Sequence, residues 1–533
     1  MTTIKSTIDK NAERYRLNYE ANIKLIDELN NKITRAQNCG SEKAIAKFKK
    51  QGKLLTRERI EALLDTGSPF LEFSPLAAIG LYNDEFIGAS CVTGIGCVCG
   101  VECMIMSSEP LVKGGASNPM TVQKYLRAQE FAMQNRLPGI HLVESAGANL
   151  MYAGDVFVPG GGLFRNITKS SALKIPQVAL VFGSSTAGGA YIPALSDHVV
   201  MVKDAAMIYL GGPPLVKMAT NEISTDEELG GAQMHNTVSG VADYLAENDA
   251  DAILLGRRIV GNLGWRKTNS IVPEHEPRQP LYDRNEILGI VSPDPRYPFD
   301  VKEVIARLVD GSDMEEFKPL YGTTLVTGFA HINGYLVGII ANNGILFSDS
   351  SQKAAHFIQL CNQRKIPIIY LCNITGFMVG KKYEEGGIVK HGANMINAVT
   401  NATVPQITIV IGAAHGAGYY AMCGRPYNPR FIASWPCSKT SVMGPEQGAG
   451  VMATVRRAAL EKEGKVWTTE EEEQYKAPIK YMFEEQCSPY HATGKLYDDG
   501  IIDPRKTREV ITIILSAAAN AEIPDANYGV FRM

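Results

Sequence analysis

The chain has 533 residues, of which 45% are hydrophobic and 20% are charged, and its formal net charge at pH 7 is −3. This balance excludes the basic surface typical of nucleic-acid-binding proteins and a polybasic membrane signal. No apolar run approaches the roughly 18 residues that span a bilayer. At about 100–200 residues per domain, the length predicts two large domains.

The first residues carry no recognisable targeting signal. Residues 1–9 lack the apolar core of a signal peptide. Asp9 and Glu13 come too early for a typical transit peptide, which is poor in acidic residues. We therefore expect a cytoplasmic protein. A processed mitochondrial matrix protein is the alternative if the source is eukaryotic.

The first predicted elements are helices. Ile23, Ile26 and Leu29 recur at helical spacing within a polar segment of about 50 residues, which indicates an amphipathic helix. The next segment, residues 52–70, predicts a surface helix followed by a turn.

A cysteine cluster follows, formed by Cys91, Cys97, Cys99 and Cys103 among ten cysteines in all. A zinc site must be considered, but the spacing lacks the paired C-x₂-C arrangement of a zinc ribbon. Residues 86–107 alternate apolar and small residues and predict paired strands. We therefore expect buried, free thiols in a β-hairpin and no metal, although the role of the cluster stays open.

Helices and apolar strands then alternate. Residues 119–136 predict a helix and residues 140–143 a buried strand. The glycines at 160–162 predict a loop that leads into a helix around residues 163–173. A β-branched apolar run follows and ends in the small residues 186–190. This alternation favours an α/β fold with largely parallel strands.

The second half of the chain repeats the first at a constant distance. Pro405 lies 229 residues after Pro176, and Gly412 lies 229 residues after Gly183. The register holds without a gap from residue 123 to residue 189. A repeat of this length indicates a duplicated domain, since solenoid units have only about 20–50 residues. Residues 265–300 contain six prolines and predict a connector, so we place the domains at 1–270 and 271–533.

Each repeat contains a strand that runs into a glycine turn and a helix. Such a turn presents backbone N–H groups at the positive end of a helix and can stabilise an oxyanion, although its glycines could also serve only close packing. No lysine follows either turn as in a Walker A loop, and no G-x-S-x-G elbow is present. The expected chemistry is therefore oxyanion stabilisation by the backbone, which suits a reaction through an enolate.

Eight motifs, spread over nearly the whole chain, carry a resemblance to one family. They are residues 52–60, 184–191, 211–217, 228–232, 235–243, 341–346, 373–380 and 442–447. Together they resemble the carboxyltransferase (β) subunit of biotin-dependent acyl-CoA carboxylases. This family has two tandem crotonase-like domains of the ClpP/crotonase superfamily, in agreement with the duplication.

The resemblance implies a role for each glycine turn. The first turn would hold the acyl-CoA thioester oxygen as the enolate forms, and the second would hold the ureido oxygen of biotin. The catalytic positions implied are Gly188, Gly189 and Ala190 in the first turn and Gly416, Ala417 and Gly418 in the second. The substrate-binding positions implied are Ala146, Gly147, Ala148, Gly160, Thr186 and Ala187. The biotin-binding positions implied are Thr375, Gly376, Phe377, His415 and Tyr419.

The resemblance also implies cofactors and partners. The chain lacks an Ala-Met-Lys-Met biotinylation site and an ATP-grasp-like glycine loop. Biotin would therefore be carried by a separate biotin carboxylase and biotin carrier (α) subunit, while coenzyme A belongs to the substrate. The family implies a homo-hexameric core within an α6β6 complex. Its active site lies between the first domain of one subunit and the second domain of another.

Three segments, 341–344, 373–380 and 422–425, are most similar to the 3-methylcrotonyl-CoA and geranyl-CoA carboxylase branch. We expect a 3-methylcrotonyl-CoA type of substrate. Gly160 replaces a bulky aromatic residue that is usual in methylcrotonyl enzymes, so geranyl-CoA or another longer acyl-CoA is the alternative, as is propionyl-CoA. More remote alternatives are a decarboxylase carboxyltransferase, a crotonase-type hydratase and a non-catalytic scaffold.

Overall fold

Each half of the chain is built around one eight-stranded sheet. The structure is a computed structural model that describes residues 1–533. The strands are β1 (Thr2–Thr3), β2 (Leu71–Phe73), β3 (Cys91–Val98), β4 (Val101–Ser108), β5 (Gly139–Ser145), β6 (Gln177–Thr186), β7 (His198–Val202), β8 (Met207–Tyr209), β9 (Tyr244–Ala246), β10 (Asp313–Glu316), β11 (Leu325–Ile332), β12 (Tyr335–Asn342), β13 (Ile368–Ile374), β14 (Gln406–His415), β15 (Phe431–Ser434) and β16 (Lys439–Ser441).

Twenty α-helices accompany these strands. They are α1 (Glu13–Gln37), α2 (Glu42–Lys50), α3 (Thr56–Leu63), α4 (Pro119–Asn135), α5 (Ala153–Ala172), α6 (Tyr191–Ala194), α7 (Pro213–Thr220), α8 (Asp226–Gly230), α9 (Ala232–Met234), α10 (Asp249–Asn262), α11 (Ile287–Ile290), α12 (Val301–Ile305), α13 (Ser348–Gln363), α14 (Lys381–Glu385), α15 (Ile388–Asn401), α16 (Gly416–Ala421), α17 (Pro445–Lys462), α18 (Thr469–Cys487), α19 (Pro489–Gly494) and α20 (Thr507–Ala518).

The chain divides into two compact units. The N-terminal unit comprises residues 31–269 and 517–521, and the C-terminal unit comprises residues 1–30, 270–516 and 522–533. The expected domain bounds assign residues 1–30 to the first domain. In the structure these residues belong to the C-terminal unit, where β1 pairs with β10.

The two sheets follow the same plan. In the N-terminal unit the order is β2-β3-β4-β5-β6-β7-β9, with β8 beside the end of β6. In the C-terminal unit β10-β11-β12-β13-β14-β15 follow in the same way, with β16 beside the end of β14. In each sheet an outer strand, β2 or β10, pairs antiparallel with the hairpin β3-β4 or β11-β12, and the strands after the hairpin are parallel. The expected α/β class with largely parallel strands is confirmed.

The core of the N-terminal unit forms where α3 and α10 cover the sheet. Val178, Leu180 and Phe182 of β6 are fully buried, and Ile253 and Val260 of α10 belong to the same cluster. An apolar strand of this kind is covered on both faces, as is usual for parallel strands. The C-terminal end of β6, which is polar and contains Gly183, therefore lies at one edge of the sheet.

Each repeat also buries one lysine at an equivalent position. Lys124 of α4 donates to the Cys91 carbonyl oxygen at 2.8 Å, and Lys353 of α13 donates to the Leu325 carbonyl oxygen at 2.7 Å. Burial lowers the pKa of Lys353. Both ammonium groups thus join a helix to the beginning of the hairpin beneath it.

Two expectations from the sequence are wrong. The glycines at 160–162 do not form a loop but lie inside the 20-residue helix α5. The hairpin expected for the cysteine cluster is present, but Cys99 in its turn is exposed, and only Cys91 and Cys103 are buried. Cys99 belongs to the two-residue turn between the strands, with a left-handed φ of 50°, and not to the buried strands themselves.

None of the helices has the length and apolar character that crossing a membrane requires. No group of three or more His, Cys, Asp and Glu side chains is arranged to hold a metal ion.

Candidate active site

The first glycine turn follows β6 directly. A short 3₁₀-helix, Ala187–Ala190, connects the strand to α6, and Ala187 has a left-handed φ of 53°. The Ser185 hydroxyl donates to the Gly189 carbonyl oxygen at 3.0 Å. A Cβ on Gly189 would meet only that hydroxyl, at 3.9 Å. The space over Gly189 is therefore open to a ligand. The hydrogen bond from Ser185 holds the turn in place.

The loop after β5 lies against this turn. Gly147 has a φ of 88°, and a Cβ there would come within 3.0 Å of the Thr186 carbonyl oxygen. The Gly147 carbonyl oxygen accepts from the Ser117 N–H at 2.8 Å. The structure thus brings together the predicted positions Ala146, Gly147, Ala148, Thr186 and Ala187. Two small-residue segments from neighbouring strands can face one ligand oxygen.

The second glycine turn has the same construction. Helix α16 begins at Gly416, which has a left-handed φ of 56°. A Cβ on Gly418 would lie 2.7 Å from Ile374 Cγ1 and 3.2 Å from Gly376 Cα. The loop that contains Thr375, Gly376 and Phe377 therefore packs against Gly416, Ala417 and Gly418, as the repeat predicts.

Two predicted side chains, His415 and Tyr419, are buried around this second turn. His415 is 5% exposed, its Nε2 atom has no hydrogen-bond partner, and burial lowers its pKa. The Tyr419 hydroxyl accepts from the Arg425 N–H at 3.0 Å, and burial raises its pKa. Neither group is charged at neutral pH, so the turn depends on backbone donors and not on a titrating side chain.

A cavity of about 670 Å³ lies beside the second turn. It lies within the range of about 300–1,000 Å³ that is typical of small-molecule sites. Its lining residues include Gly416, Ala417 and Tyr419. Backbone N–H groups at the start of α16 therefore border a space that is large enough for a small-molecule ligand.

Arg425, His491 and Tyr497 also line this cavity and are absent from the predicted site residues. Arg425 Nη2 donates to Asp499 at 2.7 Å. The segment 422–425 is the only sequence signal that could have indicated Arg425. His491 lies in α19 and Tyr497 follows this helix, and no motif marks either residue.

A smaller cavity of about 30 Å³ lies between α4, α5 and β5 in the N-terminal unit. It is lined by Tyr125, Gln129, Leu163, Ile167 and Ser145, among others. This space begins beside the loop that faces the first turn.

Gly160 is on α5 and not at the turn itself. A Cβ on Gly160 would meet only Val156 Cγ1, at 3.9 Å. Helical spacing puts Gly160 on the same face as Leu163 and Phe164. Phe164 reaches the turn, because a Cβ on Gly188 would lie 3.4 Å from its ring. Gly160 thus leaves room on a helix that contacts the first turn.

Comparisons with known proteins agree with this geometry. The model of the family described as "Carboxyl transferase domain" matches residues 47–530. The biotin-dependent 3-methylcrotonyl-coenzyme A carboxylase β1 subunit of Mycobacterium tuberculosis is 53% identical over 519 residues, which cover 96% of this chain and 97% of that protein. The mitochondrial methylcrotonoyl-CoA carboxylase β chain of Dictyostelium discoideum is 53% identical over 536 residues, which cover 99% of this chain and 91% of that protein.

A solved structure is also similar. The β subunit of geranyl-CoA carboxylase from P. aeruginosa has 42% sequence identity and a TM-score of 0.88, and the match covers 99% of each chain. The similarity extends over both repeats, as the tandem architecture requires.

Proposed function

Because the chain belongs to the carboxyl transferase domain family, we propose that it is the carboxyltransferase subunit of a biotin-dependent acyl-CoA carboxylase. The observation that carries this proposal is the pair of equivalent glycine turns, each backed by a second small-residue loop. The first turn has open space over Gly189, and the second borders the cavity of about 670 Å³. One turn suits a thioester oxygen and the other a ureido oxygen.

At the first turn, the backbone around Gly188, Gly189 and Ala190 would bind the thioester oxygen of the acyl-CoA. Negative charge develops on that oxygen when a proton leaves the acyl group, and fixed N–H dipoles stabilise this charge without reorganising. The donors are held in place because Ser185 and Gly147 support the turn from both sides.

At the second turn, Gly416, Ala417 and Gly418 would hold the ureido oxygen of biotin, with Thr375, Gly376 and Phe377 beside them. Biotin, carried by a partner subunit, would supply the carboxyl group. His415 and Tyr419 are buried beside this turn, and Arg425 lines the adjoining cavity. The proposed contribution of the chain is therefore positioning and oxyanion stabilisation.

A half-reaction tests the proposal without the partner subunit. The purified chain is incubated with a carboxylated acyl-CoA and free biotin, and transfer of the carboxyl group to biotin is followed by the appearance of the decarboxylated acyl-CoA. We expect transfer that requires biotin. Hydration of an unsaturated acyl-CoA in the absence of biotin would instead support the hydratase alternative.

The acyl group that we propose is short and branched, as in 3-methylcrotonyl-CoA, in line with the names of two relatives that are 53% identical to this chain. The open side of Gly160 is the specific observation that supports geranyl-CoA or another longer chain. Profiling the complete α–β complex with propionyl-, 3-methylcrotonyl- and geranyl-CoA decides between them, and efficient carboxylation of geranyl-CoA alone would contradict the short-chain proposal.

The proposed partners are a biotin carboxylase and biotin carrier (α) subunit and five further copies of this chain. Large exposed apolar side chains around the beginning of α5 support association, since Leu150, Met151 and Phe157 are all more than 80% exposed. Light scattering of the purified chain tests the hexamer, and a monomer at micromolar concentration would contradict it. Cell fractionation tests the proposed cytoplasmic location against the mitochondrial matrix.

A further inference from the structure

Both sheets contain a β-bulge at the same place in the repeat. In the N-terminal unit Val143 pairs with Val181 and Ser145 with Ser185, so one residue of β5 faces three of β6. In the C-terminal unit the same shift occurs on either side of Asn373. Each bulge lies immediately before the loop and the turn that form the proposed site.

The single residue opposite each bulge, Glu144 or Asn373, places its side chain against a glycine of the bulged strand. A Cβ on Gly183 would come within 2.5 Å of Glu144 Oε1, and a Cβ on Gly412 would collide with Asn373 Oδ1. In the C-terminal unit the Asn373 amide oxygen accepts from the Ala413 N–H at 3.0 Å. The glycine of the bulged strand is needed in each unit because the side chain opposite the bulge occupies the position of its Cβ.

The residues opposite the two bulges, Glu144 and Asn373, differ in charge. Asn373 is neutral, whereas Glu144 forms ion pairs with Lys53 and Arg59. Arg59 Nη1 donates to Glu144 Oε2 at 2.8 Å and its Nε donates to Asp249 Oδ2 at 2.9 Å. The guanidinium also lies 4.2 Å from the ring centre of Phe182, a bulge residue of β6. Arg59 thereby contacts both strands of the bulge.

This ionic group is costly to bury. The Arg59 side chain is 1% exposed, Asp249 5% and Glu144 11%. A buried ion pair is seldom more stable than a neutral replacement, because desolvation offsets the Coulomb attraction. The C-terminal unit forms the same bulge with an asparagine. Strand pairing alone therefore does not require charge at residue 144.

We propose that Glu144, held by Lys53 and Arg59, is a positioning residue that sets the geometry of residues 145–148 and 184–190 on the acyl-CoA side, and that Asn373 does the same on the biotin side. Arg59 donates Nη1 to Glu144 and Nε to Asp249, and such charge-assisted hydrogen bonds fix the direction of a carboxylate more strongly than a single neutral hydrogen bond would. The motif at residues 52–60, which the sequence suggests is only a surface helix, thus supports the site. The assignment of sides rests on the proposed function.

The main test compares Glu144→Gln with Asn373→Leu in the full chain. Glu144→Gln keeps the shape of the side chain and removes its charge. We expect the kcat of the half-reaction to fall by about tenfold to 100-fold, with the KM for biotin unchanged. Amide hydrogen exchange should become faster at residues 145–149 and 184–190 and stay unchanged at 374–377 and 416–421. Asn373→Leu should show the reverse pattern and raise the KM for biotin.

Two further variants keep the test decisive if Glu144→Gln does not fold. Lys53→Met removes the more exposed of the two cations and leaves the pair between Arg59 and Glu144, so we expect the same pattern with a smaller amplitude. Glu144→Asp keeps the charge and should restore part of the lost kcat.

Amide hydrogen exchange that is as slow as in the wild type at residues 184–190, or that becomes faster by the same factor in both units, would overturn the proposal. Absence of carboxyl transfer in the wild type would contradict the proposed function, while the exchange pattern would still decide this inference.

Discussion

Ala187 and Gly416 have the same left-handed backbone conformation at equivalent places in the two repeats, with φ of 53° and 56°. The chain thus keeps the conformation of the turn even where the residue is not glycine. An L-residue in this conformation costs about 1–2 kcal/mol. Such a cost persists only where the surrounding structure requires the conformation.

Substitution at Gly416 should therefore be destabilising. In Gly416→Ala the new Cβ would be strained by the left-handed φ and would lie 3.1 Å from the Val442 carbonyl oxygen. We expect a loss of about 1–3 kcal/mol in the free energy of unfolding. Ala187→Gly is the matched change. It relieves the strain in the folded state, but glycine also raises the conformational entropy of the unfolded chain. These two effects oppose each other, so the free energy of unfolding should change by no more than about 1 kcal/mol. Urea unfolding measures both, and equal stability of the two variants would contradict this explanation.

Gly189→Ala should report on the ligand site without disturbing the fold. Its Cβ would meet only Ser185 Oγ at 3.9 Å, so the melting temperature should stay near that of the wild type while the half-reaction slows by about tenfold or more. Gly418→Ala would instead push against Ile374 and should lower both stability and turnover. Unchanged turnover in a folded Gly189→Ala variant would count against the first oxyanion site.

Asp498→Asn should stabilise the protein at neutral pH. Burial raises the pKa of Asp498 to about 6, so the folded chain holds this proton more tightly than the unfolded chain does. Stability from this group is therefore present below its ordinary pKa of about 3.9 and is lost as pH rises through about 6. We expect a gain of up to about 3 kcal/mol for the variant at pH 8 and none near pH 4. Denaturant unfolding at both pH values is the measurement, and a gain independent of pH would contradict it.

Cys99 should react first with a maleimide. Its side chain is exposed, and burial raises the pKa values of its neighbours Cys91 and Cys97 to about 11. Since the thiolate is the reactive form, those two thiols should be labelled slowly. Peptide mass spectrometry after brief labelling identifies the site. Cys99→Ser is the control, and early modification of Cys91 in it would argue against the burial of that thiol.

Gly160→Phe should narrow the acyl specificity. The helix face at Gly160 is open except for Val156, so an aromatic side chain can be accommodated there. We expect turnover of 3-methylcrotonyl-CoA to stay within about threefold, and any turnover of geranyl-CoA to fall by about tenfold or more. Gly161→Ala, a change at a neighbouring position with no atom within 4 Å of the new Cβ, is the control.

Local patterns predicted most of the fold. The helix expected at residues 119–136 is α4, the strand expected at 140–143 is β5, and the hairpin around the cysteines is β3-β4. Only the second half of helix α5 was predicted, around residues 163–173, because three consecutive glycines have low helix propensity. Packing of Val156 and Leu163 against Val122 of α4 overrides that propensity.

The site was only partly predictable for a physical reason. Both turns could be predicted because their proposed donors are backbone N–H groups of consecutive small residues. Such a run can be recognised in the sequence, especially when it occurs twice at a constant distance. The ion pair between Arg59 and Glu144 joins residues 85 positions apart, and no short motif reveals such a pairing. The same holds for His491 and Tyr497, which reach the cavity from distant segments.

Lys124 and Lys353 occupy equivalent positions in the two repeats, so the same interaction, a buried ammonium bound to backbone carbonyl oxygens, can be compared within one protein. Each ammonium is almost fully buried, but Lys124 donates to two carbonyl oxygens, those of Gly88 and Cys91, whereas Lys353 has one hydrogen bond, to Leu325. Replacing each by Met in turn would measure how much a second carbonyl partner stabilises a buried ammonium. Both values would come from one polypeptide under one set of conditions, in two settings that descend from the same ancestral helix.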